Sequence, residues 1–180
     1  FPRRDLADGC RMQLKNLNNV LAMETADAAI TPTNWQASTF PPAMKEKISI
    51  IHDGIPSDLI TPNPDASITL NNALKLTKHD EVVTFVNRNL EPYRGYHIFM
   101  RCLPKLLRER PMARVVVVGG DGVSYGQSPD QTLYGKATWK QIYIDEVRPS
   151  IPHDDWKRVH FVGNVPHEVF VSLMQLSTVH

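Results

Sequence analysis

The chain has 180 residues, 42% of them hydrophobic, with 20 Lys and Arg against 19 Asp and Glu and a formal net charge of +1. That is enough apolar material for a domain with its own core and part of a second. The near-neutral balance excludes an overall electrostatic case for nucleic acid or an anionic membrane as the main partner, and no apolar run approaches the ~20 residues that cross a bilayer.

Cys10 and Cys102 stand in no metal or redox spacing and read as free, buried or half-buried thiols in a reducing compartment. The sequence opens on Phe1 without a secretory n- or h-region and stops at His180 in what reads as the start of a strand. It is therefore read as a piece of a longer protein.

Residues 11–29 predict a helix, with Leu14, Leu17, Leu21 and Ala28 along one face. A short strand over 28–33 follows. Thr33-Asn34-Trp35 then offers N-cap chemistry for a short helix that Phe40-Pro41-Pro42 stops, with Trp35 as a packing anchor. Residues 47–51 form a β-branched strand closed by His52-Asp53-Gly54. Three prolines between 56 and 65 mark a linker, so the predicted organisation is 1–55 as the end of one domain, 56–66 as linker and 67–180 as a second domain.

In the second domain, 67–70 and 73–76 flank Asn71-Asn72 as a small hairpin, since Asn tolerates the positive φ of a tight turn. The run 82–86 reads as a buried parallel strand. A helix over 95–109 follows, with ridges Ile98-Cys102-Leu106 and Phe99-Leu103-Leu107, a solvated face of Arg101, Lys105 and Arg108, and Pro104 in conflict with its interior. A second strand at 115–118, a helix over 131–147, a strand at 159–162 and a helix over 166–176 continue the alternation. The predicted class is α/β: a Rossmann-like parallel sheet flanked by helices, with a segment from a preceding domain and a small β-hairpin.

Ligands of open parallel sheets bind outside the carboxyl ends of the strands, which here are Asn87-Arg88, Gly119-Gly120 and Gly163-Asn164. Arginine's planar fork matches phosphate oxygens and a helix N-terminus adds unpaired N–H groups, so Arg88 and Arg94 together suit a diphosphate. Gly119-Gly120-Asp121-Gly122 is either a tight turn or a close backbone approach to a ligand. It fails as a dinucleotide fingerprint, because Tyr125 stands where Gly or Ala is needed, and no Walker A lysine follows. His97, His160 and His167 lack metal-ligand spacing and read as satisfied structural or surface histidines, so no metal is inferred. Asp145-Glu146 and Asp154-Asp155 read as surface pairs rather than an acid/base dyad.

These residues resemble the central part of a family 4 retaining glycosyltransferase (glycosyl transferases group 1) of the two-Rossmann-domain GT-B type. Residues 31–41 resemble the end of that family's N-terminal domain, and Ile50-Ile51-His52-Asp53-Gly54-Ile55 its crossing into the C-terminal, nucleotide-sugar-binding domain. Val86-Asn87-Arg88 through Tyr93-Arg94-Gly95 resembles its "G-R…K-G" motif, with Asn87 for the usual glycine and Arg94 for the usual lysine. Residues 115–122 resemble the strand and glycine turn of the same domain, and Val159-His160-Phe161-Val162-Gly163-Asn164-Val165-Pro166 the "FLGxVP" strand end.

The resemblance implies transfer of a sugar from a nucleotide-diphosphate-sugar such as a UDP- or GDP-sugar, with retained configuration and without a cofactor or obligatory metal. Arg88 and Arg94 would be catalytic, stabilising the departing diphosphate, and Gly119, Gly120, Gly163, Asn164 and Val165 would hold the nucleotide. It further implies a saccharide or lipid-linked acceptor, polysaccharide or glycolipid assembly, no nucleic acid partner, and a cytoplasmic protein at the inner face of the membrane. The family's two-glutamate motif would lie beyond His180 and most of the acceptor domain before Phe1, so the fragment alone is expected not to catalyse transfer. The residues leave open a nucleotide- or dinucleotide-binding domain of another enzyme, or a non-catalytic nucleotide-binding module.

Overall fold

The computed structural model describes residues 6–58, 60–71 and 73–180. Residues 1–5, Leu59 in the predicted linker and Asn72 in the predicted hairpin turn lie outside them. The chain divides into two compact units, residues 1–59 and 60–180.

The first unit contains α1 (Leu6–Thr25), β1 (Ala29–Thr31), α2 (Asn34–Ser38), α3 (Pro42–Lys45) and β2 (Ile48–Ile50). β1 and β2 pair in parallel, with Ala29 opposite Ile48 and Thr31 opposite Ile50. Lys47 Nζ donates to the carbonyls of Met23 (3.1 Å) and Ala26 (3.0 Å), placing a cation on the orphan carbonyls where α1 ends. α1 thus stops before the predicted Ala29, whose N–H is taken into the sheet by the Lys47 carbonyl at 2.8 Å.

The expected apolar face of α1 is not a buried one. Leu14, Leu17 and Leu21 are exposed and Met23 alone is buried in that helix, because a two-stranded sheet and two short helices cannot cover a 20-residue stripe. Trp35 is also not a packing anchor, being 74% exposed. Gln36, itself exposed, ties this helix start to the strand: its Oε1 accepts from the hydroxyls of Thr31 and Thr33.

The second unit opens with the hairpin of β3 (Ser67–Leu70) and β4 (Leu74–Thr77), in antiparallel register with Leu70 opposite Leu74. Asn71 supplies the positive φ, at 49°. Three parallel strands follow in the order β5, β6, β7: Val82–Asn89, Arg114–Gly120 and Val159–Gly163. Val83 makes a further parallel bridge to Val179.

Between the strands lie α4 (Tyr96–Glu109), α5 (Gln131–Tyr134), α6 (Trp139–Val147) and α7 (His153–Trp156), and α8 (His167–Leu176) follows β7. Alternate residues of β6 feed two cores. Val115 and Val117 pack with Tyr96, Met100, Leu103 and Leu107 of α4 and Val147 of α6. Val116 and Val118 pack with the hairpin and with Leu173 and Leu176 of α8. The result is a Rossmann-like α/β arrangement, a parallel sheet covered on both faces.

Three local readings need correction. The buried stripe of α4 is Tyr96, Met100, Leu103 and Leu107, whereas Ile98 is exposed, since those four share the side facing the sheet. Cys102 falls on the outer side and Cys10 on exposed α1, so both thiols are exposed. The predicted helix over 131–147 is two helices, because Gly135 ends α5 in the left-handed region (φ 64°) and Thr138 caps α6 by accepting the Gln141 N–H.

Candidate functional site

The carboxyl ends of the three parallel strands lie side by side, and both outer strands are irregular there. Val86 pairs with Val118 and Asn89 with Gly120, so β5 carries one extra residue opposite β6, at Asn87-Arg88. Phe161 pairs with Val117 and Gly163 with Val118, so β7 carries an extra residue as well. Bulges of this kind re-aim a side chain at a sheet end.

Arg88 is exposed on the bulge of β5, and its carbonyl lies against Gly120. Arg94 is exposed at the end of a 3₁₀ turn, Pro92–Arg94, which Gly95 closes in the left-handed region (φ 78°) before α4 begins. Among the described residues, neither arginine is in a salt bridge. The Asn87 amide reaches the Arg94 carbonyl at 3.4 Å, so Asn87 ties the bulge to the turn. The Arg94 guanidinium lies over the Tyr125 ring, 4.7 Å from its centroid.

Gly119 and Gly120 are required by the chain's own packing. At Gly119 (φ 155°) a Cβ would meet the Asn87 carbonyl oxygen and Leu90 Cδ2, each at 2.8 Å. At Gly120 it would meet Asn89 Oδ1 at 2.8 Å and Asn164 Nδ2 at 3.3 Å. Gly163 has φ 67° and open space beside it. Asn164 is exposed, with its amide at Gly120, whereas Val165 packs against the core under α8. The structure thus brings Arg88, Gly119, Gly120, Gly163 and Asn164 to adjacent strand ends, while Arg94 lies on the following turn, tied to β5 through Asn87 with its guanidinium over Tyr125, and Val165 is turned partly inward.

Several residues at these ends have no local sequence signal. Glu91 is fully buried, its carboxylate accepting the N–H groups of Ser124 (2.9 Å) and Gly126 (3.2 Å). Burial pushes its pKa up, but hydrogen bonds from the backbone of Ser124, Gly126 and Tyr125 and from the Ser124 hydroxyl outweigh this and hold it below the ordinary glutamate value. Asn89 Nδ2 donates to Ser124 Oγ at 2.9 Å. Lys140, at the start of α6, pairs with Asp121 at 3.0 Å and its backbone carbonyl accepts the Tyr96 hydroxyl. Each link joins residues at least nineteen positions apart, beyond the reach of periodicity or motif spacing.

His167 is exposed, as a surface histidine, whereas His97 and His160 differ from expectation. Among the described residues, His97 Nδ1 and His160 Nε2 are buried without a hydrogen-bond partner, so neither ring is fully satisfied. Burial and the nearby Arg114 charge lower the His160 pKa. The acidic pairs are taken up by ion pairs: Glu146 with Arg101, Asp145 with Lys136, Asp154 with Lys157 and Asp155 with Arg158. No group of three His, Cys, Asp or Glu among the described residues could hold a metal ion, and no helix there is long and apolar enough to cross a membrane. A cavity of about 390 Å³ in the first unit, lined by residues such as Asn16, Asn19, Phe40 and Met44, contains no charged side chain.

A family model described as the glycosyl transferase family 4 group matches residues 1–60. This supports a glycosyltransferase at the family level over a third of the 180-residue chain, all of it before the strand-end residues. No curated protein matches the chain.

Proposed function

We propose that the chain is the central part of a retaining glycosyltransferase, and that its second unit holds the diphosphate of a nucleotide-sugar donor at the carboxyl ends of β5, β6 and β7. The observation that carries this reading is the pair of exposed arginines, one on the bulge of β5 and one on the turn that follows it, neither in a salt bridge among the described residues. As the bond between the anomeric carbon and the donor phosphate breaks, negative charge grows on the departing diphosphate. Preorganised cations aimed at that position stabilise the transition state more than the ground state. Arg88 supplies a bidentate fork from the strand end, and Arg94 a second charge whose edge N–H groups remain available while its face rests on Tyr125.

Gly119, Gly120 and Gly163 keep the floor of the site low, and Asn164 offers an amide beside Gly120. The acceptor is a saccharide or lipid-linked saccharide and the setting is polysaccharide or glycolipid assembly at the cytoplasmic face of a membrane; this part of the proposal rests on the family resemblance alone. The competing reading is a nucleotide- or dinucleotide-binding domain with another chemistry. Against a dinucleotide site stands Tyr125, which occupies the position of the fingerprint's third glycine and stacks on Arg94. Calorimetric titration with UDP, GDP, ADP and NAD separates the readings: a nucleoside diphosphate is expected to bind most tightly, and tighter binding of NAD would sink the transferase proposal.

A further inference from the structure

Glu91 is one of the few charged side chains in the second unit that is buried, and among the described residues no salt bridge neutralises it. A buried carboxylate without a cation is tolerated only where donors surround it. Here those donors are the backbone of residues 124–126, in a stretch without helix or strand between β6 and α5. The approach is close at Gly126, where a Cβ would lie 3.2 Å from Glu91 Oε2, a tight contact.

The same residue also begins the turn that carries Arg94. The Glu91 carbonyl accepts the Arg94 N–H at 3.1 Å, while its carboxylate grips the residues on either side of Tyr125. Both halves of the stack between Arg94 and Tyr125 are therefore fixed to Glu91. Asn89, two positions earlier, adds a second tie to the loop through Ser124.

We propose that Glu91 is a positioning residue, acting through residues 124–126 and the Tyr125 ring to hold the Arg94 guanidinium ready for the donor diphosphate. This rests on the transferase reading above. A long, flexible arginine surrenders much of its freedom on binding an anion, and a flat aromatic platform removes part of that loss beforehand. The clamp explains why a charge is buried beside an exposed loop, which the packing of the two cores does not require.

The test is a mutant cycle on the whole chain. Affinity is measured by calorimetry for whichever of UDP, GDP or ADP binds wild type best, and amide exchange is followed at Ser124 and Gly126. Glu91→Gln keeps the shape but sets an amide N–H₂ against backbone N–H groups, so both amides are expected to exchange faster. Affinity is expected to fall about fivefold to tenfold, the range of a lost cation–π contact or charge-assisted hydrogen bond. Because Glu91 acts through Arg94, adding Glu91→Gln to Arg94→Ala should weaken binding no further than Arg94→Ala alone.

Full additivity of the two losses, or faster exchange with unchanged affinity, overturns the role of Glu91 while leaving the binding site in place. Should Glu91→Gln fail to fold, as judged by thermal melting, Tyr125→Ala combined with Arg94→Ala runs the same cycle from the other side of the stack. Wild type binding none of the three nucleotides would sink the transferase reading and this role with it.

Discussion

Arg88 stands where β5 inserts its extra residue, and its side chain is exposed without a salt bridge among the described residues. Arg88→Ala is expected to weaken nucleoside diphosphate binding by ~1–3 kcal/mol, the scale of a charge-assisted hydrogen bond. Unchanged affinity in a calorimetric titration would remove Arg88 from the site. The glycines beside it obey a different logic, since the 2.8 Å contacts at Gly119 and Gly120 come from Asn87, Leu90 and Asn89. Gly119→Ala is therefore expected to lower stability by about 1–3 kcal/mol through overpacking and strain, whether or not a ligand is present. A denaturant midpoint equal to wild type would show that the strand end can relax.

At the level of elements, α4 runs unbroken from Tyr96 to Glu109 with Pro104 inside it. The ring removes a hydrogen bond to the Met100 carbonyl and crowds it, and packing of Met100, Leu103 and Leu107 holds the helix together regardless. Pro104→Ala should stabilise the chain by about 1–3 kcal/mol, read from urea unfolding, and a loss of stability would mean the local backbone is adapted to proline.

The half-buried His160 and the buried Glu91 give the elements a pH dependence with separate windows. The folded pKa of His160 is lowered from 6.5, so the unfolded chain takes up a proton that β7 resists, and stability falls as pH drops below 6.5. Glu91 has a folded pKa lowered from 4.5; its stabilisation is full above that value and is lost as pH falls through the folded pKa. Glu91→Gln is expected to flatten only the lower limb of a stability profile. A lower limb that persists unchanged would assign it to other carboxylates.

The strand ends are legible in the sequence because apolar runs terminate abruptly at Asn87-Arg88, Gly119-Gly120 and Gly163-Asn164, and turn residues there have no other local use. The same local logic misplaces Ile98 and Cys102, since four-residue spacing defines a ridge but not which ridge meets the sheet. It joins α5 to α6 because helical composition outweighs the single stop at Gly135. Glu91 lies inside the motif yet gives no signal, because its partners are more than thirty positions away. Trp35 misleads for a simpler reason: size favours burial only where a neighbouring layer exists to receive the ring.

On the scale of the whole molecule, the family match and the proposed site fall in different units. Residues 1–60 carry the similarity to the glycosyl transferase family 4 group, while the arginines, glycines and the Glu91 clamp belong to residues 60–180. The central claim is that the second unit receives a nucleoside diphosphate at its parallel strand ends. Backbone amide shifts recorded by NMR during titration with UDP, GDP or ADP test it most directly. The expected result is a saturable set of perturbations centred on Arg88, Gly119, Gly120, Gly163 and Asn164, extending to Arg94 and Tyr125. Perturbations confined to the first unit, or none at millimolar nucleotide, would contradict it.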